Sequence, residues 1–132
     1  MAGETNLTKL LSSISPRLLD DEYVFCTVKQ AEYGDCKELL PIATFKEAEG
    51  LTLVVTKDHA DQAQLDYESV FRCITLSVHS SLESVGLTAA VSAKLAEKGI
   101  SANVIAAYYH DHIFVQSGKA RLAMDALADF SA

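Results

Sequence analysis

No run of apolar residues approaches the ~18 that a bilayer-spanning helix requires, so no membrane span is expected. The N-terminus also lacks the basic stretch followed by an apolar one that marks a secretory leader; Glu4, Lys9 and polar residues stand there instead. Cations are few. Lys and Arg number 11 against 18 Asp and Glu, a formal net charge of −7. Phosphate backbones are recognised by clustered Lys and Arg, so nucleic acid is not an expected partner. Cysteine is scarce and odd in number, and Cys26, Cys36 and Cys73 lack metal-type spacing. Cys26 and Cys73 fall inside apolar strand-like runs, where a thiol acts as a small core residue. A reducing, cytoplasmic setting is the expected compartment. No Gly-x-Ser-x-Gly elbow occurs, which removes the commonest serine-hydrolase pattern. No Pro-, Gly- or Ser-rich linker divides the chain.

What is present is an ordinary globular balance, 49% apolar and 22% charged over 132 residues. That is enough to pack one domain or two very small ones. The second half reads most clearly. Val70 to Val78 (VFRCITLSV) is rich in β-branched and aromatic residues and predicts a strand. After a polar loop, Leu87, Ala90, Val91 and Leu95 form one helical stripe, predicting a helix from Leu87 to about Lys98 with Gly99 as its C-cap. Ile100 to Tyr109 and Ile113 to Gln116 predict two strands joined by a hairpin at His110 to His112. In that reading Tyr108 and Tyr109 point to opposite sides of a strand. Ser117 is a candidate cap for a last helix, whose buried side carries Ala120, Ala123, Met124 and Leu127. The order β-α-β-β-α is a split β-α-β arrangement, an antiparallel sheet with helices on one face.

The first half reads as a worn copy of this plan. Leu7, Leu10, Leu11 and Ile14 predict a short helix that ends before Pro16. Tyr23 to Val28 and Leu51 to Thr56 predict strands, with another near Ala43 to Lys46 and a tight turn at Glu49-Gly50. Asp58 is a candidate cap for a helix from His59 to about Leu65. Two modules in tandem, 1–66 degenerate and 67–132 intact, is the expected organisation.

From His79 to Ala90 (HSSLESVGLTAA), and on through KLAEKGISANVIAAYYHDHIFV to Val115, the chain resembles an ACT domain. The shared pattern is a strand, a loop ending in glycine (Gly86), a helix closing in a Gly-Ile pair (Gly99-Ile100), then a hairpin. It is similar to small bacterial stand-alone proteins with two ACT-like modules, and to the ACT modules of cytosolic arginine sensors of animals. The match runs from about Phe71 to Phe130, with a weaker echo from Glu22 to Thr56. It departs from the family plan in having no obvious closing strand after Phe130; that strand is either supplied by the other half or absent. The resemblance implies a ferredoxin-like α+β fold and a non-enzymatic regulatory role. It also implies amino-acid binding where modules meet, at the loop after the first strand and the start of the first helix.

The residue chemistry there is compatible with a carboxylate ligand. Helix-first-turn amides around Gly86, Leu87 and Thr88 lack intrahelical acceptors, and the helix dipole favours an anion. Gly86 removes a Cβ from the approach. Ser80 and Ser81 add hydroxyls, Leu82 and Val85 can pack on a side chain, and Glu83 or Asp111 can meet an ammonium. Plainer roles compete: Gly86 as a turn residue and the serines as caps of loop backbone. His79, His110 and His112 raise a metal reading, but two of them straddle a hairpin turn and no Cys or carboxylate stands at zinc spacing. No metal or cofactor is expected. The rival function is self-assembly without ligand, because the second predicted strand is apolar on both faces (Val104 and Ala106; Ile105 and Ala107). One face should pack the helices, so the other wants a cover, either the first half or a second subunit; a homodimer is the natural prediction.

Overall fold

Asn6 opens the first helix: its side-chain oxygen accepts the Lys9 amide at 3.0 Å, capping α1 (Leu7–Ser12). The computed structural model describes residues 6–77 and 86–131. After α1 come β1 (Pro16–Val28), β2 (Ala43–Glu47), β3 (Gly50–Thr56), α2 (Lys57–Gln62) and β4 (Phe71–Leu76). Then follow α3 (Leu87–Glu97), β5 (Asn103–Ala106), β6 (Asp111–Gln116) and α4 (Ala120–Ala128). The chain forms two compact units, one of residues 6–20, 72–77 and 86–131, the other of residues 21–71.

In the first unit the strand order is β1–β4–β6–β5, with the opening residues of β1 beside β4. Arg72 fixes that neighbour relation, donating from Nε (3.2 Å) and Nη2 (2.7 Å) to the Leu19 carbonyl. Residues 16–20 therefore supply the strand that closes this unit beside β4. Ile74 and Leu76 of β4 and Ile113 and Val115 of β6 share a core with Leu87, Val91 and Leu95 of α3 and Ala123 and Leu127 of α4. Leu10 and Ile14 complete it. Full burial of each such leucine contributes roughly 1.5–3 kcal/mol, so this stripe holds the helices to one face. The alternate residues Cys73 and Phe114 are buried as well.

The second unit has the order β2–β3–β1, built on two antiparallel registers, Thr44↔Leu53 and Cys26↔Leu53 among their pairs. Leu51, Leu53 and Val55 alternate toward a core with Val24, Cys26 and Ala60 of α2.

Several boundaries differ from expectation. β1 begins at Pro16 rather than Tyr23; proline is tolerated as a first strand residue, and the charged stretch Asp20-Asp21-Glu22 hides the strand because it is exposed. Thr56, not Asp58, caps α2, its hydroxyl accepting the His59 amide at 3.2 Å. The β2–β3 turn falls at Ala48-Glu49, with Glu47 paired to Gly50. β5 is only four residues long, and the Ala107 amide closes the following turn on the His110 carbonyl at 3.0 Å. Tyr108 and Tyr109 therefore sit in a turn, both exposed, with rings edge-to-face at 4.9 Å. Asp111, expected in the turn, is the first residue of β6 and pairs with Ala106.

Candidate functional site

The helix that carries the candidate site is fixed at both ends. At its C-terminus Gly99 adopts φ +72°, its amide bonding Ala96 O at 2.9 Å while Ile100 N bonds Leu95 O at 3.0 Å. This is the paired closure of a left-handed glycine cap, and Ile100 and Leu95 bury together beneath it. Lys119 Nζ donates to the Gly99 carbonyl at 2.7 Å. At the N-terminus Gly86 stands at φ +97°, ψ −14°, with no side-chain cap. Its carbonyl accepts the Ala90 amide at 2.8 Å, the first helical bond. The amides of Leu87, Thr88 and Ala89 therefore precede the helical ladder, and no acceptor for them occurs among the described residues.

Gly86 has structural duties too. A Cβ there would lie 3.1 Å from Leu7 Cδ2, so α1 packs onto the glycine. Beyond the apolar stripe of α1, no sequence signal points to this contact. Leu87 is buried in the core and offers only its main chain, whereas Thr88 is exposed. Ser80, Ser81, Leu82, Glu83, Val85 and His79 lie outside the described residues.

Asp111 stands at the end of the first unit where β4 finishes and β6 begins. Thr75 Oγ1, one residue from the end of β4, lies 3.0 Å from His112 Nδ1, one residue into β6. The Asp111 carboxyl is half-buried, and burial holds its pKa above the usual carboxylate value against the opposing pull of His112 and His110. His112 is shifted down, first by burial and then by His110, with Asp111 opposing. His110 Nδ1 is buried with no hydrogen-bond partner among the described residues. In this His-Asp-His group beside the β5–β6 turn the sequence reading takes the histidines as a metal question and Asp111 as an ammonium partner; no group of three or more His, Cys, Asp or Glu among the described residues has metal-holding geometry. Cys26 and Cys73 are buried free thiols, and burial pushes Cys73 up to about 11, an inert core position.

Two ACT domain models match the chain, one over residues 2–72 and the other over 68–129. The chain belongs to the ACT domain family. Among solved structures, this ACT protein is similar to a Vibrio cholerae protein of unknown function, VC0802, described as a possible transport protein. The two are 57% identical over 96% of each chain, with a TM-score of 0.88. It also resembles Atu0741 of Agrobacterium tumefaciens (18% identity, 89% of each chain, TM-score 0.70). A third likeness is to the regulatory subunit of aspartate kinase from Thermus thermophilus in its ligand-free form, at 10% identity over 91% of this chain and 99% of that one, TM-score 0.62. The last two likenesses show the fold alone. No curated protein matches. No helix among the described residues is long and apolar enough to cross a membrane.

Proposed function

We propose that this ACT protein is a non-enzymatic, cytoplasmic regulatory protein that reversibly binds a small molecule, an amino acid, at the start of α3. The observation that carries the reading is the set of three main-chain donors, Leu87, Thr88 and Ala89, without acceptors among the described residues at the positive end of an 11-residue helix. The ligand carboxylate takes those donors and the Thr88 hydroxyl. The Asp111 carboxylate, to which no side chain donates among the described residues, takes the ammonium. Ser80, Ser81 and Glu83 supply further polar contacts in this reading, and Leu82 and Val85 the apolar wall. The holding module is the second, 67–132. That a regulatory subunit of aspartate kinase shares the fold supports a regulatory role. Titration calorimetry against the common amino acids tests it: saturable heat with at least one is expected, and silence across the panel would end the proposal.

A second reading, self-assembly, is favoured by β5. It is the outermost strand of the first unit, and the stretch from Gly99 to His110 around it holds no Asp, Glu, Lys or Arg. An uncharged edge strand is a ready template for pairing. A copy of this chain paired antiparallel at β5 forms a two-fold homodimer.

A further inference from the structure

In the second unit the segment between β1 and β2 leaves a cavity of about 610 Å³ over the sheet, within the range that holds small molecules. Leu51 and Leu53 of β3 lie buried beneath it; its walls are Tyr33, Lys37, Leu40 and Ile42. The wall is set by its own main chain. Leu39 N bonds Cys36 O at 3.1 Å, Leu40 N bonds Lys37 O at 3.0 Å, and Ile42 N bonds Val54 O at 2.8 Å. Those amides are spent, so recognition falls to side chains.

Three features point to one kind of occupant. Tyr33, Leu40 and Ile42 are 84%, 71% and 44% exposed, an unusual loss of apolar burial within ten residues. Leu40 is held at φ +52°, a left-handed conformation that a leucine adopts at a cost, yet its side chain gains no cover for it. Lys37 lines the same cavity. Lys46, Lys57 and Lys94 have carboxylate oxygens at 2.8, 3.0 and 3.2 Å, whereas Lys37 has no ion pair among the described residues. Thr44, Tyr33 and Cys36 are further residues with polar groups on the lining.

We infer that this cavity binds an apolar monocarboxylate, a molecule with an acyl or aryl body on Tyr33, Leu40 and Ile42 and its carboxylate on Lys37. The site and its ligand are independent of the start of α3. An aliphatic and an aromatic acid share this chemistry, so both octanoate and 4-phenylbutyrate serve as probes.

The experiment is a titration of the full chain with each probe, followed by amide NMR, with octanol as the uncharged control. Saturable shifts confined to the amides of residues 33–44 and 51–53 are expected, with octanol at least tenfold weaker. Lys37→Met should weaken octanoate about tenfold, as loss of one charged hydrogen bond does, with the wild-type spectrum otherwise kept. Leu40→Gly, which removes the apolar wall and relieves the left-handed backbone, should weaken both probes while leaving the chain at least as stable. Gly86→Ala should leave probe binding unchanged, which separates this site from the amino-acid site. Non-saturating shifts, shifts centred elsewhere, octanol binding as well as octanoate, or an unchanged affinity in Lys37→Met would each overturn the inference.

Discussion

At φ +97°, with a Leu7 methyl 3.1 Å from where a Cβ would stand, Gly86 is constrained by backbone and packing together. Gly86→Ala should destabilise the chain by about 1–2 kcal/mol, the usual left-handed penalty, since Leu7 can shift a few tenths of an ångström. Urea denaturation measures this, and Leu7→Ala in the same background should recover little of it. A neutral Gly86→Ala would mean that the backbone there is not held left-handed. The histidine beside the candidate ammonium site gives a second test at this scale. Burial holds His112 below its ordinary 6.5, so the unfolded imidazole takes up its proton first. The stability linked to neutral His112 is therefore present at neutral pH and lost as pH falls through 6.5 toward the folded value. His112→Gln should flatten that part of the stability curve. Asp111 runs the other way. Its raised pKa means that the burden of the buried charge is relieved as acid protonates it, above 3.8. Ammonium binding needs the ionised form, so amino-acid affinity should fall with acidification in that same window.

The helices show how far sequence pattern reaches. α3 was legible at both ends because Leu87, Val91 and Leu95 repeat at helical spacing and Gly99-Ile100 closes it, and all four apolar residues are buried. Leu95→Ala should cost about 2–5 kcal/mol, read as a lowered urea midpoint at unchanged slope. An effect under 1 kcal/mol would contradict its place under the glycine cap. The strands were less legible. Only the last six residues of β1 are legible as a strand, because Asp20, Asp21 and Glu22 are exposed and give no apolar alternation. β5 reads too long in the sequence for the opposite reason: apolar residues run on through Ala107, Tyr108 and Tyr109, but the last two are exposed in the turn rather than packed. Composition cannot tell an exposed aromatic turn from a strand end. At the candidate site the glycine and the first-turn donors were legible, since a helix start follows from local pattern. The Leu7 contact and the buried His110 nitrogen depend on tertiary packing, and no local signal carries them.

For the whole chain, the governing quantity is the net charge of −7. Two copies meeting at β5 approach against like charge, and salt screens that repulsion, with a Debye length of about 10 Å at 0.1 M. Sedimentation equilibrium should therefore show a dimer whose association strengthens several-fold between about 0.05 and 0.5 M salt. Monomer at every concentration would remove the pairing. The two ACT models cover 2–72 and 68–129, yet residues 16–20, from the first span, lie beside β4 in the unit that holds α3. The strand that flanks β4 in that unit thus comes from earlier in the chain than the rest of its sheet. What the regulatory reading requires of the molecule is narrower: a carboxylate must reach the first turn of α3. Amide NMR during titration with the common amino acids measures this directly. The account predicts saturable shifts at Leu87, Thr88 and Ala89 for at least one of them, and shifts that spare those three amides for every amino acid would contradict it.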